Sequence, residues 1–330
     1  MVTPQGPFGP PALARFLEQS MHSPWFNISV LALWLATMSW LVVEKILPSV
    51  MVGDPPDRVA TLAAQTEDEL VGYEVRWQKE RIGHAVIGTK RKETGATLVD
   101  GQIHFDRLPI RQMLPKVLVD LFGVRGSIPE TIDLDAKNRV LFHSNGRVQR
   151  FNSTVHLDES LSTIQVEGFV AGETLLLTVR SAGVTYETRR PLPLNAMLSN
   201  GLMPQSRMPG LYRGRKWTVE VYSPIRPRTE TMEIMQAEVV GRDLIPWGGK
   251  FEHVWLVVYR GDPGGDISHA GKERVWLWVR DDGVVLQHRI TVLDGSLTFV
   301  RMQDEEAPEF RQMLRDPTAE PVSEATSSKP

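Results

Sequence analysis

The side chains able to do chemistry are scattered along this chain. Eight histidines, His22, His84, His104, His143, His156, His253, His269 and His288, include no pair four residues apart and no HExxH stretch. Zinc enzymes use that helical spacing because it turns two imidazoles toward one ion. The expectation is isolated histidines on strands or in loops, and no metal. The serines have no GxSxG elbow to expose a nucleophile, and the carboxylates suggest no acid–base pair. Residues 264–273, GGDISHAGKE, approach a phosphate-binding loop, but Gly265 and Gly271 stand one residue too far apart. Glu273 also takes the place of the Ser or Thr that would hold magnesium. Residues 261–266, GDPGGD, offer carboxylates to calcium yet fall between two strand-like runs, where a hairpin loop is the simpler reading. No cysteine is present, which excludes disulfides, thiolate metal sites, cysteine nucleophiles and an acylated lipoprotein anchor. No catalytic, metal or cofactor-binding residue is nominated.

One dense group of charges needs its own explanation. In YEVRWQKERIGHAVIG, residues 73–88, alternation puts Tyr73, Val75 and Trp77 on one face and Glu74, Arg76 and Gln78 on the other. KER then reads as a polar turn and IGHAVIG as a returning strand, with Gly83 allowing a close backbone approach. The charges belong to the solvated side of a hairpin. The basic run Lys90, Arg91 and Lys92, beside Glu93, reads likewise as a solvated turn, with anionic headgroups as its alternative partner.

Period two dominates from about residue 69 to residue 302, broken by turn signals at short intervals, so the fold class is mainly β and antiparallel. In ERVWLWVRDDGVVLQHRITVLDGSLTFVRM, Asp282-Gly283 and Asp294-Gly295 each separate β-branched and aromatic runs, which predicts a three-strand meander. Roughly ten strands are expected in all. Two stretches break the pattern. In residues 107–124, RLPIRQMLPKVLVDLFGV, apolar residues recur at helical spacing, and Pro115 would interrupt the helix. Residues 192–210, LPLNAMLSNGLMPQSRMPG, read as a loop with a helical turn. The predicted whole is a curved antiparallel sheet or half-barrel with one or two short helices.

A segment ahead of the sheet changes the setting. From Ser23 to Val43 no residue is charged, and about 20 apolar residues in a helix span the hydrocarbon of a bilayer. A cleaved signal peptide would want a basic start and a shorter apolar run, so one uncleaved span is expected over 23–45. The remaining organisation follows from composition: a Pro/Gly-rich arm at 1–22, a linker at 46–68, the β-rich domain at 69–302 and an acidic, Pro/Ser-rich disordered tail at 303–330. Flanking charge does not settle orientation, but a long folded domain after a first span translocates readily. The expected location is the cytoplasmic (inner) membrane, single-pass, with the carboxy-terminal domain outside the cytoplasm. A formal net charge of -3 makes nucleic acid an unsuitable partner.

The order of landmarks, YEVRWQKERIGHA, TIDLDAKNRVLFHS, TIQVEGFVAGETLLLTVRSAG, RPLPLNAMLSNGLMP, GLYRGRKWTVEVYSP and RVWLWVRDDGVVLQHRI, resembles the uncharacterised extracytoplasmic DUF3108-type β-rich domain. Such domains also stand ahead of transglutaminase-like domains in bacterial envelope proteins. The resemblance implies an antiparallel, half-barrel sheet in a bacterial envelope and brings no catalytic residue. No transglutaminase domain is expected within these 330 residues, which hold none of the cysteine that enzyme needs.

The function expected from these readings is a membrane-anchored, non-catalytic module that binds a partner protein or an apolar, lipid-like ligand. Trp217, Trp247, Trp255, Trp276 and Trp278 are the candidates to line an apolar trough, or to be ordinary core. Around Trp276 and Trp278 the opposite face carries Val275, Leu277 and Val279, so both sides of that strand are apolar. The alternatives are a hydrolase with dispersed catalytic residues, and assembly through the span with the domain as spacer.

Overall fold

The computed structural model describes residues 24–43, 53, 55–64, 70–109, 130–157, 163–192, 197–198, 203–222, 232–261, 272–292 and 295–303. The expected arm, most of the helix expected over 107–124, the GGDISHAG loop and the acidic tail from residue 304 lie outside the described residues. The chain divides into two compact units, residues 1–52 and 53–330.

In the first unit, α1 (Pro24–Leu41) has 18 residues, a mean hydropathy of 1.2 and no charged side chain. Its length and composition suit a membrane span. The Ser29 hydroxyl donates to the Trp25 carbonyl at 2.9 Å and that of Thr37 to the Leu33 carbonyl at 2.8 Å. Both are satisfied inside their own helix, so neither requires a second helix as partner.

The second unit begins within the segment expected to be a linker. Gly53 donates its N–H to the Lys216 carbonyl at 2.9 Å. A short helix, α2 (Arg58–Ala63), follows, opened by Asp57, whose carboxylate accepts from the Val59 N–H at 2.9 Å.

Strands then succeed one another as β1 (Leu70–Trp77), β2 (Glu80–Arg91), β3 (Thr97–Leu108), β4 (Ile132–Phe142), β5 (Val148–Leu157), β6 (Ile164–Ala171), β7 (Thr174–Ser181) and β8 (Val184–Pro191). They continue as β9 (Met197–Leu198), β10 (Lys216–Tyr222), β11 (Met232–Trp247), β12 (Lys250–Gly261), β13 (Glu273–Val279), β14 (Val285–Val292) and β15 (Gly295–Arg301). All lie in one open 15-stranded sheet, in the order β8-β7-β6-β5-β4-β3-β2-β1-β15-β14-β13-β12-β11-β10-β9. Every pairing is antiparallel except β9 with β10. The chain meanders outward from β1 to β8, crosses to the far margin at β9 and meanders back until β15 pairs with β1. First and last strands therefore meet at the centre.

The mainly β, antiparallel class is as expected, but the strand count exceeds ten. The additional strands are β3, β4, β5 and β9. Charged or polar residues at every second position of β4 (Asp133, Asp135, Lys137, Arg139) face inward partners as small or polar as Ala136 and Asn138. That weakens the apolar alternation by which a strand is recognised. The first hairpin turns one residue earlier than KER, at Gln78–Lys79, with Gln78 at φ 57°.

Tyr73, Val75 and Trp77 are buried as their alternation predicts, and the face they share is called inner below. Register carries this face across the sheet through Ala85, Ile103 and Ala136 on one side of Tyr73. From Val75 it runs through Phe299, His288, Leu277 and Val257 on the other side. Each fully buried aromatic or aliphatic side chain here contributes about 1.5–3 kcal/mol. The sheet is rolled. Tyr222 of β10 packs with Val148, Phe151, Val166 and Leu175 of β5 to β7, strands far from it in the hydrogen-bonded order.

Candidate functional site

A segment with no strand of its own lies on the inner face. Met203 packs against the central core cluster, over Gly101 of β3, where a Cβ would come within 2.7 Å of the methionine sulfur. Gln205 donates its backbone N–H to His288 Nδ1 at 3.4 Å. The Ser206 carbonyl accepts from Val285 N–H at 3.0 Å, and Met208 N–H donates to the Gly283 carbonyl at 2.7 Å. Arg207 forms an isolated bridge with Val284, and Met208 and Ser206 are buried. The Met203–Pro209 segment is thus a strap tied to β14 and seated in a glycine notch of β3. It belongs to the stretch expected to hold a helical turn, and its described residues contain none.

His288 lies beneath the strap, its ring 5.9 Å from that of Phe299. Burial pushes its pKa down to about 4, and no charged neighbour contributes to the shift. An Nδ1 that accepts a hydrogen bond carries a lone pair, so the ring is neutral with its proton on Nε2.

The five tryptophans occupy three places. Trp247, Trp276 and Trp278 meet in a second apolar cluster with Ile245, Val254 and Leu286, at the end of the β11–β12 hairpin. Trp278 Nε1 donates to Asp243 at 2.8 Å under the Arg289 guanidinium, and Trp247 Nε1 donates to the Arg301 carbonyl at 2.7 Å. Leu277, between Trp276 and Trp278, is buried with the inner face, so β13 is covered on both sides. Trp217 is core, edge-on to Tyr259 at 6.0 Å. Trp255 lies 3.8 Å beneath the Arg242 guanidinium.

The outer face carries a grouping that the sequence reading did not find. Register aligns Glu74, His84, His104, Asp135 and His156 in one row across β1 to β5. The rings of His84 and His104 are 5.3 Å apart. His104 Nδ1 lies 2.8 Å from Asp135 and its Nε2 3.1 Å from Asp106. Burial works against the charged form of His104, but the Asp135 hydrogen bond and charge, reinforced by Asp106, outweigh it and raise the pKa. His84 moves the other way, lowered by burial and then by His104. Carboxylates already hold both nitrogens of His104, and among the described residues no three His, Asp or Glu side chains could hold a metal ion.

No family model matches this chain, and no curated protein does. Among solved structures, it is similar to a beta-barrel-like protein of a domain of unknown function, DUF1849, from Brucella abortus. Identity is 8%, the TM-score is 0.44, and the match covers 71% of this chain and 95% of that one. It is also similar to a DUF1089 family protein from Pseudomonas aeruginosa, at 10% identity and a TM-score of 0.33, covering 64% and 90%. These are similarities of outline.

A shallow cleft of about 250 Å³ lies beside His143, Asn145 and Arg147. Two of its polar groups already have partners. Arg147 donates to the Gly172 carbonyl at 3.1 Å, and Asn145 accepts from the Arg147 N–H at 3.1 Å. The outer histidine row lies on an open sheet surface, where it can hold charge but not enclose a substrate. The inner face under the strap is the place where a guest of the right chemistry would be desolvated. His84 and His104 were findable: they lie symmetrically about Thr94 in the turn that holds Gly95, so a β2–β3 hairpin makes them partners. Asp135 was not, because residues 109–131 separate β3 from β4. The strap carries no sequence signal beyond its prolines and methionines.

Proposed function

We propose that this chain is a single-pass, membrane-anchored, non-catalytic module of a bacterial cell envelope that receives an apolar, lipid-like chain along the inner face of its rolled sheet. The observation that carries this reading is the strap. A continuous apolar surface is covered there by a short non-strand segment that lays one half-buried, flexible methionine, Met203, over a glycine. A linear, unbranched apolar guest offers the same shape and polarizability as that thioether side chain. α1 supplies the anchor, with the folded unit outside the cytoplasmic membrane. The DUF3108-type resemblance supports the same setting.

The test is native mass spectrometry of the full-length protein after detergent exchange, with organic extraction of what stays bound. The expected result is one lipid-like molecule per chain. A chain that is reproducibly empty refutes tight carriage.

A second reading, a protein partner, is favoured by the sheet margin. Val184 and Tyr186 of β8 are 67% and 50% exposed, and β7 is the strand's one partner among the described residues. An extended peptide could add there as a further strand. Val184→Lys would abolish such binding and leave lipid carriage unchanged.

A further inference from the structure

We infer that the Met203–Pro209 strap is a displaceable cover latched by His288, so that acid releases it and opens the inner face to an apolar chain; this rests on the binding role proposed above. Three features of the geometry support it. The strap is outside the sheet's ladder, and the attachments described above run to β14 and its preceding turn and, through Met203, to Gly101. One attachment, Gln205 N–H to His288 Nδ1, exists only while that nitrogen is unprotonated. Protonation there would set two donors against each other and put a charge among Phe299, Leu277 and Gln205, so the strap must move to let water reach the ring.

The groups facing His288 do not offset that charge. On β13, Leu277 lies opposite and Val275 and Val279 flank it. On β15, Phe299 lies opposite, and the next residue on that face is the buried cation Arg301. On β1, beyond β15, the inner face presents Val75 and Tyr73; on β14 itself, Ile290. On the strap, Ser206 follows Gln205, and the cation Arg207 comes after it. No carboxylate faces the ring from these elements, so protonation gains no ion pair. The pH dependence takes its sign from the difference between closed and open states. With the strap closed, the imidazole titrates at about 4; exposed, it returns toward its ordinary 6.5. The open state therefore binds a proton more readily, and opening becomes more favourable as pH falls below 6.5, by about tenfold per pH unit down to about 4.

Two parallel measurements on the full-length protein in mild detergent separate the latch from the ligand reading. Hydrogen exchange, corrected for the intrinsic pH dependence of amides, should show protection of the strap peptide and of Val285 falling about tenfold per unit below pH 6.5. Amides of the β2–β3 pairing should stay protected. In His288→Asn, whose side-chain carbonyl can accept the Gln205 bond without titrating, strap protection should be independent of pH. Gly101→Ala, which displaces the Met203 sulfur and leaves His288 intact, should lower strap protection about fivefold at pH 7 and keep its pH dependence. Strap protection unchanged between pH 7 and pH 4.5 in the wild-type protein, or a pH dependence surviving in His288→Asn, overturns the latch. Binding of the fluorescent polyene fatty acid cis-parinaric acid should strengthen over the same range. Equal binding at pH 7 and pH 5 overturns the latch and leaves the ligand reading standing. A strap that opens while the probe never binds supports the latch and overturns the ligand reading.

Discussion

Replacing Gly83 with alanine should damage the protein far more than its single added methyl suggests. A Cβ at position 83 would stand 1.9 Å from the His104 carbonyl oxygen, 2.9 Å from its carbon and 3.0 Å from the Phe105 Cα. All three are backbone atoms of β3, which is itself held by β4, so no side-chain rotation relieves the overlap. Overpacking of this kind costs about 1–3 kcal/mol, and with backbone on the other side the upper value applies. For a folded unit of this size that corresponds to a fall in Tm of about 6–12 °C. Gly101→Ala provides the internal comparison, since the atom in its way is the far end of Met203. Its cost should stay near the lower value, about 1 kcal/mol. Thermal unfolding of both full-length variants, followed by near-ultraviolet circular dichroism of the sheet tryptophans, reads the difference. A Gly83→Ala shift below about 2 °C, or one matched by Gly101→Ala, would refute the close approach of β2 to β3 on which the histidine row depends.

The outer histidines should titrate in opposite directions from 6.5, His104 above and His84 below, in a proton-detected NMR titration, and Asp135→Asn should bring His104 down. The raised value means that His104 stabilises the fold fully below pH 6.5 and loses that contribution as pH climbs through its folded pKa. For His84 the loss comes instead as pH falls from 6.5 through its lowered pKa. Trp278→Ala should cost about 3–5 kcal/mol, because it empties the cluster under the β11–β12 hairpin and removes the indole donor from Asp243; unfolding in urea measures it.

Strands with strong contrast between their faces were legible from composition. In β1 every second residue from Tyr73 is aromatic or β-branched, and in β13 to β15 Asp-Gly pairs mark the turns. β3 and β4 were harder because Gly101, Ala136 and Asn138 give their inner faces little bulk. Their burial is supplied by others, such as the Met203 side chain that fills the space over Gly101. The two-sided burial of β13 could be read from Val275 to Val279, where no polar face exists. The strap and the joining of Asp135 to the His84–His104 pair could not. Both are long-range: the strap reaches β3 and β14 from a proline-rich segment without periodicity, and Asp135 reaches His104 only through sheet register. A spacing search along the chain sees neither, since it compares residues close in sequence and the sheet joins residues far apart.

Photocrosslinking with a diazirine-bearing fatty acid, applied to the full-length protein in its membrane and read by peptide mapping, tests the central claim most directly. Apart from the apolar helix itself, labelling should concentrate on the inner-face residues of β3, β14 and β15 and on the Met203–Pro209 segment, and should increase at acidic pH. Labelling confined to the helix, or spread over the outer face of β1 to β5, would contradict an apolar guest on the inner face.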